Sequence, residues 1–155
     1  MQIFVIHFPE LFNSRNYGYR LPTEIEWEYF AREGYNPSTN KFSGTDSEND
    51  IWNFGVNLKR TSFTPKVFEI KSLNANALGL FDVTGNVEEW CFDWYGSVTT
   101  DTALIGAETG MSRVSRGGSW KSTNKFCYVS YRSKINPYRR YDCVGFRVVR
   151  SLNQN

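Results

Sequence analysis

Apolar positions recur with a helical period in one place, LPTEIEWEYFAREG (21–34), where Trp27, Phe30 and Ala31 fall three and four residues apart on one face. Thr23 with Glu26 three residues on has the form of a capping box, and Glu24 and Glu26 complement the positive end of the helix dipole. Gly34 suits a left-handed residue at the C-terminal end. The spacing predicts a short amphipathic helix over about 23–33 that docks an aromatic stripe on the core. From Tyr35 to Lys71 the pattern is polar and punctuated. YNPSTN and SGTDSEND read as surface turns there, and DIWNFGVN and PKVFEI as brief extended segments. After a loop at 96–112, SRVSRGGSW, FCYVSYRS and VGFRVVR alternate, or are aromatic enough, to predict short strands.

One stretch follows neither period. GLFDVTGNVEEWCFDWYG (79–96) interleaves Asp82, Glu88, Glu89 and Asp93 with large apolar and aromatic side chains and is interrupted by glycine. One helix, then irregular loops, then short strands predicts a loop-rich α+β domain. At 155 residues the chain has the length of one domain. Aromatic residues make up 17% of it while mean hydropathy is −0.50, so burial is concentrated in a few large rings.

Charge adds an asymmetry. Residues 111–155 hold ten Lys/Arg and one acid, Asp142, whereas residues 1–110 hold eight Lys/Arg and fifteen acids. The arginines of the basic part stand singly among turns and apolar positions. Pairing with the acidic part therefore explains them, and a nucleic-acid surface is not indicated. Cys91, Cys127 and Cys143 have no CxxC spacing, and His7 is the sole histidine, which argues against zinc and against a Ser-His-Asp set. MQIFVIHFPELF has neither the basic start nor the small-residue cleavage site of a signal peptide, no run has the length of a membrane span, and the compartment stays open.

The turn DVTGNVEE can bring a carboxylate, glycine-freed backbone carbonyls and a second carboxylate together, a set of hard oxygens that suits Ca²⁺. The same carboxylates equally serve to accept loop N–H bonds or to pair with arginines.

YRLPTEIEWEYFAREG, NALGLFDVTGNVEEWCFDWYG, RVSRGGSW and GFRVVR, in that order, resemble the sulfatase-modifying-factor family, the formylglycine-generating-enzyme domain. The resemblance covers residues 19–150, leaving 1–18 as an unmatched N-terminal segment and 151–155 as a tail. It implies a variant of the C-type lectin fold, with small antiparallel sheets and one short helix. It also implies a calcium ion held by the Asp82 side chain, the carbonyls of Gly85 and Val87, and the Glu89 carboxylate. A second family calcium site matches only in part, at Asp50 and the Ile51 carbonyl.

The resemblance also defines departures. The family's oxidase converts a cysteine of unfolded sulfatases to formylglycine, using oxygen and a copper(I) ion between two thiolates. Its cysteines lie three and eight residues after the serine of the GGS element. Here that serine is Ser119, Cys127 occupies the second position, and Ser122 stands at the first. A hydroxyl does not replace a thiolate for a soft monovalent metal, so neither Cu⁺ nor oxidase chemistry is expected. The short N-terminal segment implies an N-terminally truncated member, with an exposed edge on its last strand or with another chain completing the fold.

The expected function is a non-catalytic module for a protein or carbohydrate ligand, resembling the C-type-lectin-fold variable proteins. Oxidase, enzyme-accessory and non-functional-fragment readings are the alternatives. Trp120, Ser122, Asn124, Tyr128, Ser130, Tyr138 and Arg139 are the candidate contacts, rich in the Tyr, Ser and Asn of adaptable binding surfaces.

Overall fold

The computed structural model describes residues 19–34, 37–57, 66–97, 106–107 and 109–150. The expected N-terminal segment, the tip of the 96–112 loop and the C-terminal tail lie outside the described residues.

Helix α1 (Glu24–Ala31) forms where its signals stand. Thr23 Oγ1 accepts from the Glu26 amide, and Glu26 Oε2 accepts from the Thr23 amide at 2.8 Å, completing the capping box. Two successive left-handed residues, Glu33 (φ 68°) and Gly34 (φ 89°), end the helical run. Trp27, Phe30 and Ala31 are buried as the pattern predicts, and Glu26 joins them because Arg20 clamps its carboxylate with two bonds of 2.6 Å.

The central sheet has the order β6-β5-β4-β7, formed by β4 (Glu88–Trp94), β5 (Arg113–Arg116), β6 (Ser133–Ile135) and β7 (Val144–Gly145). The neighbours β5–β4 and β5–β6 are antiparallel, and β4–β7 is parallel. The aperiodic stretch is thus mainly strand. Glu89, Cys91 and Asp93 point to the buried side, while Trp90, Phe92 and Trp94 line the other. Its period is hidden because acids occupy the inner face and rings the outer. Trp27, Phe30, Leu80, Val83, Cys91, Val114, Val129 and Val149 form the main core, and Phe42, Ile51 and Cys127 form a second cluster.

Two small pairings complete the frame. Strand β1 (Tyr19–Arg20) runs antiparallel to β8 (Val149–Arg150), so the C-terminal strand is paired on one side by the start of the YRLPTE segment. Strands β2 (Gly55–Val56) and β3 (Thr84–Gly85) pair in parallel. Gly85 has φ 73°, and a Cβ there would collide with the Val56 carbonyl, so this close pairing requires glycine.

Several extended expectations are corrected. DIWNFGVN begins as a 3-10 turn (Ile51–Asn53) and becomes extended only at β2, and FCYVSYRS starts inside a 3-10 turn (Asn124–Cys127) and enters a strand only at Ser133. PKVFEI carries no strand ladder among its described residues, and VGFRVVR divides into β7 and β8 around Phe146 and Arg147.

Candidate functional site

Two turns are laced together at the centre of the molecule. The Gly85 amide donates to the Gly117 carbonyl at 2.8 Å, and the Trp120 amide donates to the Asn86 carbonyl at 2.9 Å. Asn86, itself left-handed (φ 63°), holds the backbone of Phe68 through both ends of its side-chain amide. The TGN turn thereby fixes the GGSW loop, where Gly117 (φ 89°) and Gly118 (φ 70°) supply conformations that other residues rarely adopt.

Within that loop Ser119 and Ser122 face each other. Their hydroxyl oxygens are 3.1 Å apart, and Ser122 Oγ also accepts from the Ser119 amide at 3.0 Å. Cys127 is buried behind them, with Gly118 leaving room for its sulfur: a Cβ at residue 118 would stand 2.6 Å from Sγ. Burial, assisted by the Glu88 carboxylate, pushes the Cys127 thiol up to about 12. The arrangement is a satisfied hydroxyl pair next to a protonated thiol. Such a set offers no pair of thiolates, and so does not fit a copper(I) ion.

The four implied calcium positions are differently engaged. Asp82, left-handed at φ 57°, accepts the Lys71 amide on Oδ2 at 2.8 Å. Glu89 is buried and accepts from Trp27 Nε1 at 2.7 Å and from Arg147 Nε at 2.6 Å on one oxygen, while its other oxygen takes Arg147 Nη2. Arg147 Nη2 also donates to the Phe81 carbonyl at 3.2 Å, so its guanidinium spans the two ends of the turn. Gly85 lies in the β2–β3 pair and Val87 is half-buried beside Gly145. A cation held by Glu89 would have to displace Arg147, so this arrangement of residues does not fit Ca²⁺ with Glu89 as a ligand. The contacts are those of a loop-capping and arginine-pairing set. At the second position Asp50 is exposed and makes no side-chain capping bond, and the Ile51 carbonyl accepts the Phe54 amide at 3.0 Å.

The expected ligand contacts fall into two groups. Asn124 bridges Asn57 (2.8 Å) and Glu48 (2.9 Å), and the Tyr128 hydroxyl reaches the same Glu48 at 3.3 Å. Trp120 lies under Lys121, and Ser122 is buried. Tyr138 is 90% exposed on a turn held by Asn136. Arg139 follows it and lines a groove of about 450 Å³ together with Trp90, Phe92, Arg113 and Pro137. Ser130 is exposed and belongs to neither group.

Sequence reasoning missed the partners more than the positions. Arg116 and Arg132 both bind Glu24, Arg116 also binds Glu28, and Arg147 binds Glu89. These pairs join the basic C-terminal part to the acidic part, as the charge asymmetry suggested. Which arginine meets which acid had no signal in the spacing.

Residues 6–152 match the model of the sulfatase-modifying factor enzyme 1-like domain. The chain belongs to this family. Over 86% of its length this sulfatase-modifying-factor domain is 38% identical to Treponema denticola variable protein 1, superposes with a TM-score of 0.78, and covers 48% of that chain. It is 35% identical over 88% of its length to a serine/threonine-protein kinase, pkn1, of Chlamydia pneumoniae, covering 22% of that protein. To the formylglycine-generating enzyme of Streptomyces coelicolor it is 34% identical over 84% of its length, covering 46% of the enzyme. The chain thus spans half or less of these relatives' own lengths. Its architecture is the α+β, C-type-lectin-like fold of the family, as the resemblance implied.

Proposed function

We propose that this domain is a non-catalytic binding module that presents its C-terminal surface to a protein or carbohydrate ligand. The observation that carries this reading is the Ser119–Ser122 hydroxyl pair, standing where the family's oxidase needs the first of its two thiolates. With Cys127 buried and protonated, no nucleophile–base pair and no copper pair is available at the family-equivalent positions. The likeness to a variable protein supports a scaffold that displays side chains rather than one that performs a reaction. Tyr138 and Arg139 are the displayed residues best placed to contact a ligand, being exposed next to the aromatic groove of Trp90 and Phe92. Aromatic and arginine side chains are the usual anchors of such contacts.

The test has two arms. A cysteine-containing sulfatase peptide incubated with the domain, Cu(I) and oxygen should yield no hydrazide-reactive aldehyde. A screen against glycan and peptide arrays should find a ligand whose binding falls in the double variant Tyr138→Ala, Arg139→Ala at unchanged melting temperature. Aldehyde formation that depends on Cys127 would overturn the reading.

A further inference from the structure

A second concavity, of about 750 Å³, opens between helix α1 and the end of β4. Ile25, Tyr29, Pro37 and Ala107 give it apolar walls, and Asp93 lines it. It shares no lining residue with the ligand surface described above, so the two readings fail separately.

The charged side chains around this cavity are not alike. Arg116 and Arg132 are committed to Glu24, and Arg116 and Arg32 to Glu28. Asp93, only 7% exposed, is the lining carboxylate that makes no ion pair among the described residues, although it lies within the field of Arg132. Among the described residues, the one hydrogen bond it receives from another residue is the Glu24 amide on Oδ2, at 2.6 Å. Its Oδ1 receives no hydrogen bond from another described residue and packs against Gly106, where a Cβ would collide with that oxygen. A buried carboxylate without an ion pair costs stability, and one that lines a cleft marks a candidate binding position.

We infer that this cavity binds a small molecule joining a primary ammonium group to an apolar body, with the ammonium on Asp93 Oδ1. An anion would meet Asp93, and a divalent cation would find no group of three or more His, Cys, Asp or Glu side chains among the described residues. An ammonium needs only one strong acceptor and its hydrocarbon suits the apolar walls.

Isothermal titration of the whole chain with phenethylammonium, and with the neutral 3-phenylpropanol, tests this. The amine should bind about tenfold more tightly than the alcohol. Asp93→Asn, which can still accept from the Glu24 amide, should bring the two affinities together. Gly106→Ala should weaken the amine while far-UV circular dichroism stays unchanged. Equal affinities in the unaltered protein, no binding of the amine, or a preference that survives Asp93→Asn would each overturn the assignment.

Discussion

Arg147 holds Glu89 through two guanidinium nitrogens across 58 residues of sequence, with side-chain exposures of 4% and 7%. The pair locks the C-terminal segment between β7 and β8 onto the central strand. Its value lies in being complete, because a buried charge that loses its partner costs far more than the pair contributes.

Arg147→Met should therefore destabilise the domain by about 3–5 kcal/mol, read as a lower urea midpoint at unchanged slope. Adding Glu89→Gln should recover part of that loss, since the double variant no longer buries an uncompensated carboxylate. A double variant as unstable as the sum of the two singles would show that the residues act independently.

The same contacts give an expectation for calcium. With both Glu89 oxygens occupied by Arg147 and Trp27, melting in EDTA and in excess Ca²⁺ should give the same midpoint. A rise with calcium that disappears in Glu89→Gln and persists in Glu88→Gln would place the ion at Glu89 and require Arg147 to move.

Asp93 carries a pH signature. Burial, with Glu24 and Glu26 adding repulsion, raises its carboxyl above the usual value of 3.8. A carboxyl raised in the folded state holds its proton there more tightly than in the unfolded chain. Its contribution is whole below pH 3.8 and is lost as pH climbs through the raised folded value. Asp93→Asn should accordingly melt higher than the unaltered protein at pH 7, and the gap should close below pH 3.8. A gap independent of pH would locate the effect elsewhere.

The cysteines should separate by reactivity. Cys91 and Cys127 are buried with thiols raised by burial, and at pH 8 a thiol near 12 is about one part in ten thousand thiolate. Cys143 is half-buried, and although burial and the Glu88 and Asp142 carboxylates raise it too, it is the accessible one. Iodoacetamide should label Cys143 first in the native protein and reach the other two on unfolding. Early labelling of Cys127 would contradict its placement.

Helix α1 was legible to the residue at its cap, because Thr23 and Glu26 act within one turn and their bonds need nothing from the rest of the chain. The aromatic stripe of Trp27 and Phe30 was legible for the same reason. Strand β4 was not, since its inner face carries Glu89 and Asp93, and an acid reads as exposed until its buried partner is known. The segments around Ile51 and Cys127 read as strands from composition and became 3-10 turns under local bonding.

At the site, Ser122 in place of a thiol was visible in the sequence alone, because it depends on residue type and spacing. The family, the fold and the break in the copper pair follow from linear order in the same way. Tertiary structure decided which charge answers which. Arg147 reaches Glu89, Arg116 and Arg132 share Glu24, and Asp93 makes no ion pair among the described residues, since these relations depend on distances set by strands and turns far apart in the chain. Identity along the chain specifies what a residue can donate or accept, and only folding specifies what stands opposite it.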